Sequence, residues 1–364
     1  MEYRIWPDAE PAPAPSNPPP LPERRHRPVF SGTAGEYFGI WIVNVVLSIL
    51  TLGIYSAWAK VRTERYFYSN TRLAGAAFEY IADPIAILKG RLIAYAVVIA
   101  LVVSSKFMPL LYLLLIMAVG LLMPALRVWS LRFQARNSVW RGLSFRFDQP
   151  AGDAYMPFFM WNIITFITAT LLYPMASLAK QQFVVEGHRF GAKRFSFKGD
   201  SGQYYPAYFA ALGLGVLCFV VAVVVIGVGS IGGDAKEGST RFAFVMLLFM
   251  LIFYGGMFFI MTYLRVRYTN LMWQNSSLVL NRFESTLRVR DVCWIYFSNI
   301  VAILCTLGLA VPWAMIRLAR YRAEHFTLVA TGDLDEFVAA SEMSAGATGA
   351  ELVDALDAGF DFGI

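Results

Sequence analysis

Asn44, Asn162 and Asn299 each stand inside an apolar segment. An amide placed there has no water to bond, so it needs partners from the protein. Two roles fit: a polar lining where segments converge, or hydrogen bonds between helices. Arg65, Arg132 and Arg322 recur at one frame of a repeated motif. Guanidinium groups so placed suit bidentate contact with lipid phosphates, or pairing with carboxylates of neighbouring units. Lys89 and Arg91 open the second apolar segment, where a cation either snorkels to the headgroups or meets an anionic lipid or solute. Trp58 and Trp313, with Tyr66, Phe67 and Tyr68, are of the type that anchors at a membrane interface.

Catalytic chemistry has no such basis. The chain carries no nucleotide-binding loop, no catalytic triad and no zinc motif. His26, His188 and His325 are scattered in basic or polar flanks, and Cys218, Cys293 and Cys305 all sit in apolar runs. These patterns give no acid, base, nucleophile and metal constellation. No enzymatic activity, cofactor or metal is expected.

The elements that must position these residues are membrane-length. Hydrophobic residues make up 57% of the chain and charged residues 15%, against roughly 45–50% and about 25% in soluble domains. The excess lies in runs near the ~20 residues that cross a bilayer core. Seven apolar segments are readable: Gly39–Trp58, Ile85–Ser104, Leu110–Leu126, Met156–Leu178, Ala207–Ser230, Phe242–Leu264 and Val292–Ile316. The net charge of +6 clusters at the ends of these runs. That placement suits membrane lipids as partners, and no nucleic acid.

The chain also repeats itself. "AWAKVRTERYFYSNTRLAGAAFEY" from Ala57 aligns with "PALRVWSLRFQARNSVWRGLSFRF" from Pro124, Asn70 meeting Asn137. The frame recurs at Gly187, at Asn275 and at Thr327, which brings Arg322 into register with Arg65 and Arg132. Segments one and seven share Asn44 with Asn299 and a Thr-Leu-Gly step, and segment four fits them through Asn162. Segments two/three and five/six form tight pairs. Between segments, "TRL-AG-AAFEY", "SVW-RG-LSFRF" and "HRF-GA-KRFSF" alternate around glycine-containing two-residue turns, which predicts short β-hairpins.

The expected fold is thus an all-α polytopic membrane protein with internal repeats, and short juxtamembrane β-hairpins between transmembrane segments. A disordered Pro-rich, basic leader covers 1–28. The membrane domain covers 29–337, in units 29–80, 81–147, 148–197, 198–283 and 284–337. An acidic tail follows at 338–364. Lys and Arg flank both ends of segments one, four and seven. The positive-inside rule then leaves two readings. Either all seven segments cross, or four cross while one, four and seven re-enter and place both termini in the cytoplasm.

From Phe30 to Arg91, through "TLGIYSAWAKVR", "RYFYSNT" and "ILKGRL", the chain resembles the YjgN family of bacterial inner-membrane proteins. That resemblance implies a multi-pass protein of the bacterial inner membrane and brings no established reaction. With it, the sequence supports two functional expectations. One is a transporter or channel-like protein for a small or lipidic solute. The other is a non-catalytic membrane scaffold or lipid-interacting envelope protein.

Overall fold

The computed structural model describes residues 23–332 except 231–236, together with 334, 338 and 339. Among the described residues, four helices are long and apolar enough to cross a membrane. They form two hairpins: α3 (Pro84–Phe107) with α4 (Pro109–Arg136), and α7 (Ser201–Ser230) with α8 (Glu237–Gln274). At 1.5 Å per residue the 38 residues of α8 run ~57 Å. That is far beyond a ~30 Å hydrocarbon core, so α8 projects well out of it.

Segments one, four and seven do not form single helices. Each folds into a short hairpin: α1 (Ala34–Leu50) with α2 (Ser56–Ser69), α5 (Trp161–Ile167) with α6 (Tyr173–Gly187), and α9 (Val289–Cys305) with α10 (Val311–Glu324). The bends are chemically alike. Leu52 and Gly53, and likewise Leu307 and Gly308, take positive φ. Gly53 N–H donates to Ser48 O and Gly308 N–H to Ile303 O, the long return bond of a Schellman ending. Thr51 and Thr306 stitch the bend through their hydroxyls. Each donates back four residues and accepts from the N–H four residues ahead. The middle hairpin turns at Ala169 and Thr170, both at positive φ. The tips are apolar and bare: Leu52 is 93% exposed and Leu307 95%. A Cβ placed on Gly53 would lie 3.7 Å from Tyr95 Oη. The first tip thus stands ~16 Å along α3 from its start, at 1.5 Å per residue.

The expected fold class needs correction here. The β-hairpins are not isolated pieces in an all-α protein. They join into one antiparallel sheet of 11 strands, ordered β1-β11-β10-β9-β8-β7-β6-β5-β4-β3-β2. Its strands are β1 (Glu23–His26), β2 (Val29–Phe30), β3 (Thr71–Leu73), β4 (Ala76–Tyr80), β5 (Ser138–Trp140), β6 (Leu143–Phe147), β7 (His188–Phe190), β8 (Lys193–Phe197), β9 (Ser276–Leu278), β10 (Asn281–Ser285) and β11 (Phe326–Thr331). The physical reason lies in the backbone. A lone hairpin of three- and five-residue strands leaves both outer edges unpaired, and each edge finds the next hairpin. Phe78 thus faces Trp140, Phe145 faces Phe190, and Phe195 faces Leu278.

The sheet curls on itself. β1 pairs with β11 at one end and β2 with β3 at the other, yet only Arg27 and Pro28 separate β1 from β2. The helices close the same way, since α1 packs on α10. The expected leader therefore ends earlier than 28: Glu23–His26 is a strand that fastens the ring. Residues 1–22, and the tail apart from Val338 and Ala339, lie outside the described residues.

Equivalent positions carry the inside of the ring. Each even-numbered helix ends in a residue whose side chain bonds the carbonyl four residues back: Asn70, Asn137, His188, Asn275 and His325. At the end of α10 this place is held by His325, two residues before the expected Thr327. Three residues beyond the caps in β3, β5, β9 and β11 stand Leu73, Trp140, Leu278 and Leu328, and β7 supplies Phe190. All five are buried in one cluster, with Leu334 and Val338 packed against it.

Candidate functional site

The sheet is plugged by its apolar cluster, but a chamber of about 850 Å³ opens where the ends of the even helices meet it. Its wall draws on α2, α4, α8, α9 and α10 and on strands from β3 to β11. The curl of the sheet brings residues far apart in sequence onto one cavity. Phe78, Phe145, Trp273 and Phe326 supply its apolar surface. Thr71, Gln134, Ser138 and Ser285 supply neutral polar groups, and Arg265 and Arg322 supply charge. No carboxylate lines the chamber among the described residues, and neither arginine has a hydrogen-bond or ion-pair partner there.

Two further polar groups are fixed in the wall. Tyr68 Oη and Ser138 Oγ share a hydrogen bond of 3.0 Å, and burial pushes the Tyr68 phenol above its usual range. His188 Nδ1 lies 2.6 Å from Val184 O, so this nitrogen carries the proton and Nε2 is left as an acceptor. Burial pushes the His188 imidazole down, more than the Val184 bond raises it. The ring is therefore neutral near pH 7. The chamber thus combines an apolar floor, neutral polar walls and two guanidinium groups, a lining whose chemistry complements a ligand both anionic and apolar.

The residues singled out from sequence separate into three places. Arg322 lines the chamber. Arg65 and Arg132 do not; they clamp backbone. Arg65 donates to Tyr80 O and Ala82 O, and Arg132 to Gln149 O. Asn270 reaches Leu287 O across the same 17-residue interval. In the fifth unit this place belongs to Arg320, which donates to Gly32 O beyond β2. The frame that put Arg322 beside Arg65 and Arg132 is thus shifted by two residues, because the partner strand of β11 comes from the chain's start.

The three asparagines stay within their own short hairpins and do not meet in a cavity. Asn44 donates to Ala59 O at 3.4 Å, and Asn299 to Ala314 O at 3.3 Å. Asn299 also accepts from Arg317, and Asn162 accepts from Lys180 at 2.6 Å. Asn299→Leu should therefore cost more than Asn44→Leu. It strands a carbonyl and takes one acceptor from Arg317, which keeps Ser298 Oγ, a loss on the order of 1 kcal/mol, against about 0.6 for an average membrane hydrogen bond. Melting of the two purified variants in one detergent checks the order; equal losses would show that the Arg317 contact contributes nothing. Lys89 is exposed at the start of α3. Arg91 donates to Ser56 Oγ on the first short hairpin.

Sequence reasoning does not single out Arg265, which stands opposite Arg127 when "LRVRYTNLMWQN" is set beside "LRVWSLRFQARN". Gln134, Trp273 and Tyr296 had no signal, since their shared cavity exists only after closure.

Comparison with known proteins agrees with this picture of a membrane protein. The inner membrane protein YjgN of Salmonella typhimurium is 26% identical over 356 residues, covering 85% of this chain and 89% of that protein. The protein of the same name from Escherichia coli O157:H7 is 27% identical over 360 residues, covering 85% and 90%. No solved structure matches. The model of a family described as bacterial protein of unknown function (DUF898) matches residues 25–355, so this chain belongs to that family and is a protein of the inner membrane.

Proposed function

We propose that this is a non-catalytic, lipid-interacting protein whose chamber binds an anionic amphiphile drawn from the cytoplasmic leaflet. The observation that carries this reading is the pair of unpartnered arginines, Arg265 and Arg322, on one largely apolar chamber. Its volume of about 850 Å³ falls in the ~300–1,000 Å³ range of small-ligand sites. The wall reaches Val292 and Tyr296 on α9, the apolar arm of a short hairpin, which gives a lipid tail a continuous apolar surface.

In this reading α3, α4, α7 and α8 cross, and the three short hairpins dip in and return. The sheet then lies on the cytoplasmic side with both termini. Most Lys and Arg sit on the sheet side, as the positive-inside rule asks. We read the five units, each a helix hairpin followed by strands, as copies of one ancestral unit. A transporter for the same solute is less favoured. In the membrane-length windows at most 11% of residues are buried, which leaves the crossing helices little wall for a path.

The test is binding of a fluorescent anionic lipid analogue to the purified protein. Arg265→Gln with Arg322→Gln should weaken binding at least about tenfold, since a charged hydrogen bond is worth roughly 1.5–3 kcal/mol. Ala319→Trp, which fills the chamber, should do the same without touching charge. Unchanged affinity in both variants would remove the chamber from the function.

A further inference from the structure

We propose a second lipid site, separate from the chamber, that takes a glycerophospholipid headgroup between α1, α2 and α3. A groove of about 500 Å³ lies there, bordered by Trp41, Asn44, Ser56, Lys60, Thr63 and Arg91. None of these six lines the chamber.

Arg91 comes first in the argument. It sits seven residues into a membrane-length helix, near the level reached by the Gly53 tip. Its hydrogen-bond partner is a neutral hydroxyl, Ser56 Oγ. Among the described residues neither Arg91 nor Lys60 has a carboxylate within ion-pair distance; Glu64 attracts Lys60 from farther off, and Arg91 has no acidic partner. A cation at membrane depth without a counter-charge is costly, and an anionic ligand supplies the missing partner.

The second observation is independent. Asn44 is only 5% exposed, and its Oδ1 has no donor. The matching oxygens elsewhere are satisfied: Asn299 Oδ1 by Arg317 and Asn162 Oδ1 by Lys180, each 18 residues along. At that interval from Asn44 stands Arg62, which is exposed and makes no such bond. The first hairpin alone therefore keeps an open acceptor, beside Arg91, which has no acidic partner among the described residues, and Lys60, which Glu64 attracts from beyond ion-pair distance. The complementary ligand carries a phosphate for Lys60 and Arg91, with Thr63 and Ser56 in reach, and an O–H or N–H donor for Asn44. Glycerol and ethanolamine headgroups have both; choline lacks the donor. The bilayer is the source, because the groove continues onto Ile49, 69% exposed on the apolar face of α1.

The test uses the full chain in neutral detergent, with melting followed as lipid is added. Phosphatidylglycerol should raise Tm more than phosphatidylcholine, and free glycerol phosphate should leave it unchanged. Lys60→Gln, and separately Arg91→Gln, should lose more than half of the phosphatidylglycerol shift. The chamber pair Arg265→Gln with Arg322→Gln should keep this part of the response, so the two sites fail separately. Should Arg91→Gln not fold, Lys60→Gln decides alone. Equal shifts in wild type and Lys60→Gln would overturn the site. Equal shifts from phosphatidylcholine would overturn the donor requirement, and a shift from glycerol phosphate alone would overturn the lipid as its source.

Discussion

A chain lacking residues 23–30 is expected to lose its cooperative folded state in detergent. These eight residues carry β1 and β2, the link between the two ends of the sheet. Without them β11 loses its four pairings from Glu23↔Thr331 to His26↔Leu328, and β3 loses Val29↔Arg72 and Phe30↔Thr71. Phe30 goes too. It is 8% exposed, stacked on Phe67 at 5.7 Å, and clustered with Tyr37 and Ile316 where α1 meets α10. Removing a buried Phe side chain costs roughly 3–5 kcal/mol, and each lost backbone bond about 1 kcal/mol net. The total rivals the ~5–15 kcal/mol that holds a typical protein folded. Size-exclusion profiles and melting curves of the purified truncation would show it. A truncation that melts as the full chain does would mean that the ring closes without this strand.

Why that strand escaped the sequence reading is instructive. Hairpins were legible where a two-residue turn demanded it. Ala74-Gly75 and Arg141-Gly142 take positive φ at both positions, the type I′ geometry that a glycine makes easy. Pairing between hairpins was not. β4 joins β5 across some sixty residues that include a whole membrane hairpin, and strands of three to five residues carry too little pattern to name a distant partner. The Pro-rich composition around residues 11–28 reads as leader, because composition reports local preference and not the two open edges waiting for a strand. The same blindness moved the fifth frame to Thr327, since spacing from helix to paired strand cannot be counted when that strand lies at the other end of the chain. The candidate site divides similarly. Asn44 and Asn299 stood out because an amide in an apolar run is anomalous by itself. The chamber arginines stood among many juxtamembrane cations, and only closure distinguishes Arg265 and Arg322 from the clamps Arg65, Arg132 and Arg320.

Phe190→Ala should be among the most damaging single substitutions in the protein, whereas Phe166→Ala should be nearly silent in detergent. Both are phenylalanines of the middle unit, so chemistry is held constant and only place differs. Phe190 is 1% exposed at the inside of the sheet, its ring 5.6 Å from Trp140 and 5.1 Å from Phe145. Truncating it opens a cavity among rings contributed by three strands, for a loss of about 3–5 kcal/mol. At roughly 2–4 °C per kcal/mol for domains of 150–250 residues, and somewhat less for a longer chain, Tm should fall on the order of 5–10 °C. Phe166 is 86% exposed at the tip of its short hairpin, where truncation removes little protein contact and should cost under about 0.5 kcal/mol. The pair therefore asks where cohesion resides. The four membrane-length helices are almost bare, with between 0% and 11% of their apolar windows buried, so they have little packing of their own to lose. The ring inside the sheet ties all five units to one another. Equal melting of the two variants would place the cohesive centre elsewhere, and the membrane hairpins would then have to be far better packed than their exposure allows.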